Sequence, residues 1–193
     1  MQARPGSLDT RTRVQRGLKR ENQIAEALRD QAGLQIVDAT PDEDKERKVD
    51  RWIESPEGRI AVQIKYREVG TDLLFEVYDK FNGWDDPNNK LGRDMFGDAE
   101  QYAVLLSDRK TVIMVPTATA KALIEKMIAE AKKGWTEISH TKTLNYRHNG
   151  ILCQLKAQSD PADGRSKMVA YIPPVYFWAE SQAKVYSVNM PTE

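Results

Sequence analysis

The sequence predicts an α/β protein of the α+β type with a β-rich C-terminal extension, and three stretches carry that prediction. From Thr10 to about Gln31, Val14, Leu18, Ile24, Ala25 and Leu28 recur at helical spacing and give one apolar stripe. From Lys48 to Arg67, KVDRWIESPEGRIAVQIKYR, two alternating runs flank Ser55-Pro56-Glu57-Gly58, the pattern of a β-hairpin. From Ala118 to Lys133, Ala122, Leu123, Met127, Ile128 and Ala131 again share a helical face.

The remaining elements follow in order. Residues 1–10, with Pro5, Gly6 and Ser7, read as a flexible arm. Asp9 or Thr10 caps the first helix, and Gly33 supplies its stop. Leu34 to Ala39 reads as a strand, and Pro41 to Lys48, which has no apolar residue, as a loop. After the hairpin, Leu73 to Tyr78 is expected as a third strand of the same sheet. Residues 79–100 form a long Gly/Asn/Asp/Pro-rich connection carrying Trp84, Arg93 and Phe96, and structureless connections of that length are commonly functional. Gln101 to Leu106 and Thr111 to Val115 are two more strands, with Thr117 placed to cap the second long helix. Residues 134–193 are expected to pack on the same domain. Strands at Ile151 to Lys156 and Met168 to Ile172 bracket a turn-rich Ser159 to Gly164.

Composition excludes several classes. A chain of 193 residues with 40% hydrophobic and 30% charged residues has the make-up of an ordinary globular domain. No apolar run approaches a membrane span, and the polar start lacks a signal-peptide core. The single Cys153 forms no internal disulfide, consistent with a cytoplasmic protein. Lysine and arginine (29) balance aspartate and glutamate (29), so any attraction for a polyanion has to come from local patches. His140 and His148 have no partners at zinc-site spacing.

The hairpin carries the chemistry. Side chains alternate along a strand, so Ile60, Val62, Ile64 and Tyr66 share one face, and Ala61, Gln63, Lys65 and Arg67 the other. Asp50, near the start of the paired strand, is expected across from Gln63. A carboxylate, an amide oxygen and an ammonium then converge. Oxygen ligands of this kind suit Mg²⁺, and a lysine beside the ion can orient or deprotonate an attacking water. A solvated hairpin face is the plain alternative.

The spacing Asp50-x12-Gln63-x-Lys65 resembles the active site of the PD-(D/E)XK nuclease superfamily. Gln63 stands where most members have an acid, and a Gln-x-Lys version occurs in some mobile-intron endonucleases. Pro41-Asp42 reproduces the letters of the motif, but Val49 and Trp52 anchor Asp50 to the strand, so Asp50 is preferred. A second likeness is Gly17-x3-Glu21-x3-Ala25-x2-Leu28, because members open with a helix whose glutamate points into the site.

The resemblance covers roughly residues 12–132. It implies a restriction-endonuclease-like αβββαβ core with a central mixed sheet, spanning residues 11–133. It implies a Mg²⁺- or Mn²⁺-dependent DNA endonuclease of phage or mobile-element origin. Asp50, Gln63, the carbonyl of Ile64 and Glu21 would hold metal, Lys65 would position water, and a homodimer would cut both strands. Arg13, Arg16, Lys19 and Arg20 on the first helix, with Arg67 and Arg93, are expected to meet phosphate. Two other functions stay open within the resemblance: a DNA-binding relative without activity, since Gln63 brings no charge, and a junction-resolvase-like or repair nuclease. The place would be the cytoplasm of a bacterial or phage-infected cell. A third class, an α+β protein with no nucleic-acid role, is argued by the zero net charge alone.

Overall fold

The computed structural model describes residues 10–67, 70–135, 141–160, 165–179 and 182–190. The expected arm before Thr10, the turn at 161–164 and His140 lie outside these residues, as do the side chains of Arg13 and Phe96. Two sheets and two long helices make a mixed α/β fold.

The first helix, α1 (Thr10–Ala32), buries Ile24, Ala25, Ala27 and Leu28. Leu18, expected in the same stripe, is half exposed, and among the described side chains of α1 the buried ones begin at Ile24. Gly33 follows at φ 69°, a conformation that costs glycine no steric penalty. The strands β1 (Ile36–Asp38), β2 (Arg51–Ser55) and β3 (Gly58–Tyr66) are consecutive antiparallel neighbours.

Between β1 and β2 the expected loop is wound into a π-helical turn at Glu43–Arg47. Thr40 and Glu43 start it reciprocally. The Thr40 N–H and hydroxyl donate to Glu43 Oε2 at 2.8 and 2.9 Å, and the Glu43 N–H donates back to Thr40 Oγ1 at 3.3 Å. Such a capping pair needs no apolar content, which is why the absence of apolar residues misled the sequence reading.

Next come β4 (Leu73–Lys80), β5 (Lys90–Leu91), the single turn α2 (Arg93–Phe96), β6 (Gln101–Leu105), β7 (Thr111–Pro116) and α3 (Thr117–Gly134). The chain closes with β8 (Lys142–His148), β9 (Ile151–Asp160), β10 (Arg165–Ile172), α4 (Pro174–Ala179) and β11 (Lys184–Ser187). Residue 116, not Thr117, is the N-cap of α3. Thr117 is buried, its N–H donates to the Glu100 carbonyl at 2.9 Å, and its hydroxyl caps nothing. On α3, Ala120, Leu123, Ile124, Met127 and Ala131 are buried, whereas Ala122, expected on that face, is exposed.

The first sheet runs β1-β2-β3-β6-β7-β11, mixed because β3 and β6 are parallel. The second runs β5-β4-β10-β9-β8, antiparallel throughout. The expected third strand therefore belongs to the other sheet. β4 and β10 bury Leu73, Phe75, Val77, Met168, Ala170 and Ile172 in one core, and that match decides the pairing. The first sheet has two buried faces. On one, α1 packs over Ile36, Ile53, Val62, Ile64, Ala103, Leu105, Val112 and Met114. On the other, Tyr102, Val104, Ile113 and Val115 meet α3 and the second sheet.

The C-terminal part is built into the same core. It supplies three strands of the second sheet and an edge strand of the first. No helix among the described residues is long and apolar enough to cross a membrane.

Candidate active site at the end of the hairpin

The hairpin register pairs Arg51 with Val62. One residue earlier, Asp50 falls opposite Gln63, so the two side chains leave the same face of the sheet. Gln63 and Lys65 lie beside Tyr102 and Val104 of β6, on the side facing the second sheet. The alternation expected from the sequence holds: Val62 and Ile64 are buried under α1 with Ile60 and Tyr66 at the margin, and Ala61 faces Trp52 and Val49 on the opposite side.

β2 begins only after Asp50, at Arg51, and that leaves the backbone of β3 uncovered for one step. Asp50 fills the step. Its N–H donates to the Val62 carbonyl at 3.0 Å, and its Oδ2 accepts the Ile64 N–H at 2.8 Å. Ala61 and Arg67 turn their polar groups to β6 instead. The Ile64 carbonyl, on the same edge as its own N–H, therefore opens towards Asp50.

Asp50 is 5% exposed and makes an ion pair through Oδ1 with Arg93, whose guanidinium also bonds Asp44 Oδ1 at 2.5 Å. Burial pushes the Asp50 carboxyl above the ordinary aspartate value, while Lys65, Arg93 and the Ile64 N–H pull it back. Gln63 is 1% exposed and its Nε2 has no hydrogen-bond partner.

Glu21 reaches the same group from α1. Burial first and the Asp50 charge second raise its pKa from 4.5 to about 7, against the pull of Lys65, Arg93 and Arg51. In the folded chain Glu21 keeps its proton to about pH 7, whereas the unfolded chain releases it near 4.5. Between those values the folded state holds the extra proton, so stability falls as pH rises through the window. Melting the protein across pH 4.5 to 8 should show that decline, and Glu21→Gln should flatten it. Parallel curves for the two proteins would place Glu21 in water.

Sequence reasoning missed Asp94. It is 4% exposed; Oδ2 accepts the Glu76 N–H at 2.6 Å and the Tyr102 hydroxyl at 3.4 Å, and buried Oδ1 has no partner. Burial raises its pKa, and Lys65 is the largest opposing influence. It stands on α2, a four-residue turn inside the stretch expected as a long structureless connection. Gly92 makes the placement possible. A Cβ there would lie 2.1 Å from the Glu76 carbonyl oxygen, so only glycine lets the turn lie against β4. The neighbours Arg93 and Asp94 thereby act on Asp50 and Lys65. The one sequence signal was the Gly-Arg-Asp run itself.

The other expected contacts disperse. Arg16 and Lys19 are exposed, and Arg20 lies over the Tyr66 ring at 4.3 Å. Arg67 lies over Tyr171 at 5.8 Å. Arg93, expected to meet phosphate, is held by two carboxylates and lines an open cavity of about 650 Å³ with Lys48, Glu76, Asp79, Lys90 and Leu91. Trp84 packs between Phe81 and Trp135. Glu76 pairs with Lys167 at 3.2 Å. His148 stacks edge-on to Tyr176.

Among the described residues no three His, Cys, Asp or Glu side chains group closely enough to hold a metal ion unaided. Comparison with protein-family models, with curated proteins and with solved structures finds no match to this chain.

Proposed function

We propose that the protein is a metal-dependent DNA endonuclease on a restriction-endonuclease-like core, acting as a homodimer on phosphodiester bonds. The observation that carries the reading is the step just before the start of β2. There Asp50 caps the Ile64 N–H opposite Gln63, Lys65 stands on their face, and Glu21 of α1 is within electrostatic reach of Asp50 and Lys65. The order of elements supports it. α1 lies on three consecutive antiparallel strands, and β6 joins β3 in parallel. The crossover between them differs from a simple helix, running through β4, β5 and the short α2.

The donor set fits a hard divalent cation. Asp50 caps β3 at the Ile64 N–H, the Ile64 carbonyl leaves that same edge of the strand, and Gln63, opposite Asp50 in the register, brings an amide oxygen and a buried Nε2 with no partner. Glu21 would take a second position or orient the nucleophile. A bound Mg²⁺ or Mn²⁺ would polarise the phosphoryl oxygen and acidify a bound water. Lys65 would orient the attacking water and offset negative charge building up at the phosphorus. Two strands need two cuts, and a symmetric dimer supplies them.

A second reading has its own support. Arg93 already neutralises Asp50, and Gln63 adds no negative charge, so a DNA-binding relative without cleavage is the competitor.

The test is cleavage of supercoiled, linear, single-stranded, flapped and four-way-junction DNA with Mg²⁺, Mn²⁺ or EDTA. Metal-dependent cutting that disappears in Asp50→Asn is the expected result. Gln63→Glu should bind Mn²⁺ at least about tenfold more tightly, because it adds a charged ligand at the ion. DNA binding with no cutting by the natural or the Gln63→Glu protein would favour the inactive relative.

A further inference from the structure

We propose that the outward face of the second sheet is the seat of the DNA strand that leads into the site, a role deduced on top of the nuclease reading. The sheet has one buried face, so alternation puts the opposite set of side chains outside. β10 offers Lys167, Val169 and Tyr171, β9 offers Gln154, Lys156 and Gln158, and β8 offers Thr143 and Asn145. Register brings them into rows. Tyr171 stands between Leu74 and Gln154, Lys156 between Val169 and Thr143, and Gln154 donates to Asn145 Oδ1 at 2.9 Å.

Charge complementarity names the occupant. The Tyr171 ring is flanked by two cations, Lys156 at 4.7 Å and Arg67 at 5.8 Å from its centroid. The acids that reach this face from β4, Glu76 and Asp79, are both paired with Lys167 at 3.2 Å, which leaves Lys156 and Arg67 as the cations at the ring. An aromatic ring set between cations, with amides beside it, is the chemistry that holds a nucleic-acid strand: phosphate to the cations, a base against the ring, amides to base edges.

Continuity supplies the direction. Arg67 follows Lys65 on the same face of β3, and its N–H still bonds the Leu105 carbonyl at 2.9 Å, so the strand that carries Lys65 delivers Arg67 to Tyr171. Arg67 is thus the side chain that joins the outward face at Tyr171 to the strand carrying Gln63 and Lys65. The face is assembled from β4 and the C-terminal strands, which explains why the C-terminal part is built into the core.

The experiment is binding of a fluorescent duplex oligonucleotide by anisotropy, in Ca²⁺ and over a salt series, with the full chain. Lys156→Glu should weaken binding roughly tenfold near physiological salt and make the salt dependence shallower by about one phosphate. Gln154→Lys should strengthen binding several-fold and steepen that dependence, and it keeps the idea testable if Lys156→Glu does not fold. Lys126→Ala, on the exposed side of α3, serves as the control and should bind like the natural protein. Natural-strength binding with an unchanged salt slope in both Lys156→Glu and Gln154→Lys overturns the surface, and the nuclease reading survives if cutting persists. Binding that depends on Lys156 without any cutting keeps the surface and removes the nuclease. No salt-dependent binding by the natural protein overturns both.

Discussion

Lys65→Ala should lower metal-dependent cleavage by a factor of about 10² to 10⁴, the usual contribution of one positioned proton-transfer or charge-stabilising group. DNA affinity should change little by comparison. The reason is position. Lys65 leaves β3 on the face shared with Gln63 and influences the carboxyls of Asp50, Glu21 and Asp94 together. Among the described residues it is the lysine whose charge acts on all three, and alanine keeps the strand while removing the charge.

Two measurements separate a chemical role from a structural one. Single-turnover cleavage should fall while anisotropy with Ca²⁺ stays within a few-fold of the natural protein. Lys65→Arg keeps a cation but cannot lose its proton at working pH, so partial rescue would assign Lys65 to charge stabilisation and no rescue to proton transfer. Undiminished cleavage in Lys65→Ala would remove this residue, and with it the catalytic reading of the hairpin.

Arg93→Ala should cost about 2–3 kcal/mol of stability at neutral pH, the size expected when a charged hydrogen bond to a buried carboxylate is lost. For a chain of this length that is a fall in Tm of roughly 4–12 °C. Asp50 would keep the Ile64 N–H and Lys65 but lose its ion pair inside the protein. The sign with pH follows from burial. The folded Asp50 carboxyl already lies above its ordinary value of 3.8, and losing Arg93 moves it higher. The folded variant therefore holds its proton to higher pH than the natural protein does, and its deficit grows as pH rises past the natural protein's own raised Asp50 value. Melting curves at pH 4 and pH 7.5 check this; an equal deficit at both would show that the pair does not act through the Asp50 charge.

The same variant speaks to the metal. Arg93 supplies positive charge where a divalent cation would meet Asp50, so the two compete. Titration with Mn²⁺ should find tighter binding in Arg93→Ala, and the added ion should restore part of the lost stability. Weaker binding would mean that Arg93 helps to shape the site.

The sequence by itself determined what is local. The periodicity of Ile24 to Leu28, the alternation from Ile60 to Arg67 and the Ser55–Gly58 turn dictate a helix, a strand and a hairpin register. That register alone sets Asp50 opposite Gln63 and puts Lys65 on their face, because a hairpin joins residues close in the chain and its turn fixes which of them meet. Thr40 and Glu43 were equally local, and the capping pair was legible once hydrogen bonding rather than apolar content was considered.

Tertiary structure decided the rest. An alternating run does not encode its partner, so only the shared core with β10 moved Leu73–Lys80 into a second sheet. Burial likewise depends on everything that surrounds a side chain. Nothing in the letters Gly92-Arg93-Asp94 sets the guanidinium on Asp50 or buries Asp94 beside Tyr102; the approach of Gly92 to the Glu76 carbonyl does. The raised pKa of Glu21 arises in the same way, because desolvation is a property of the packed chain rather than of the residue.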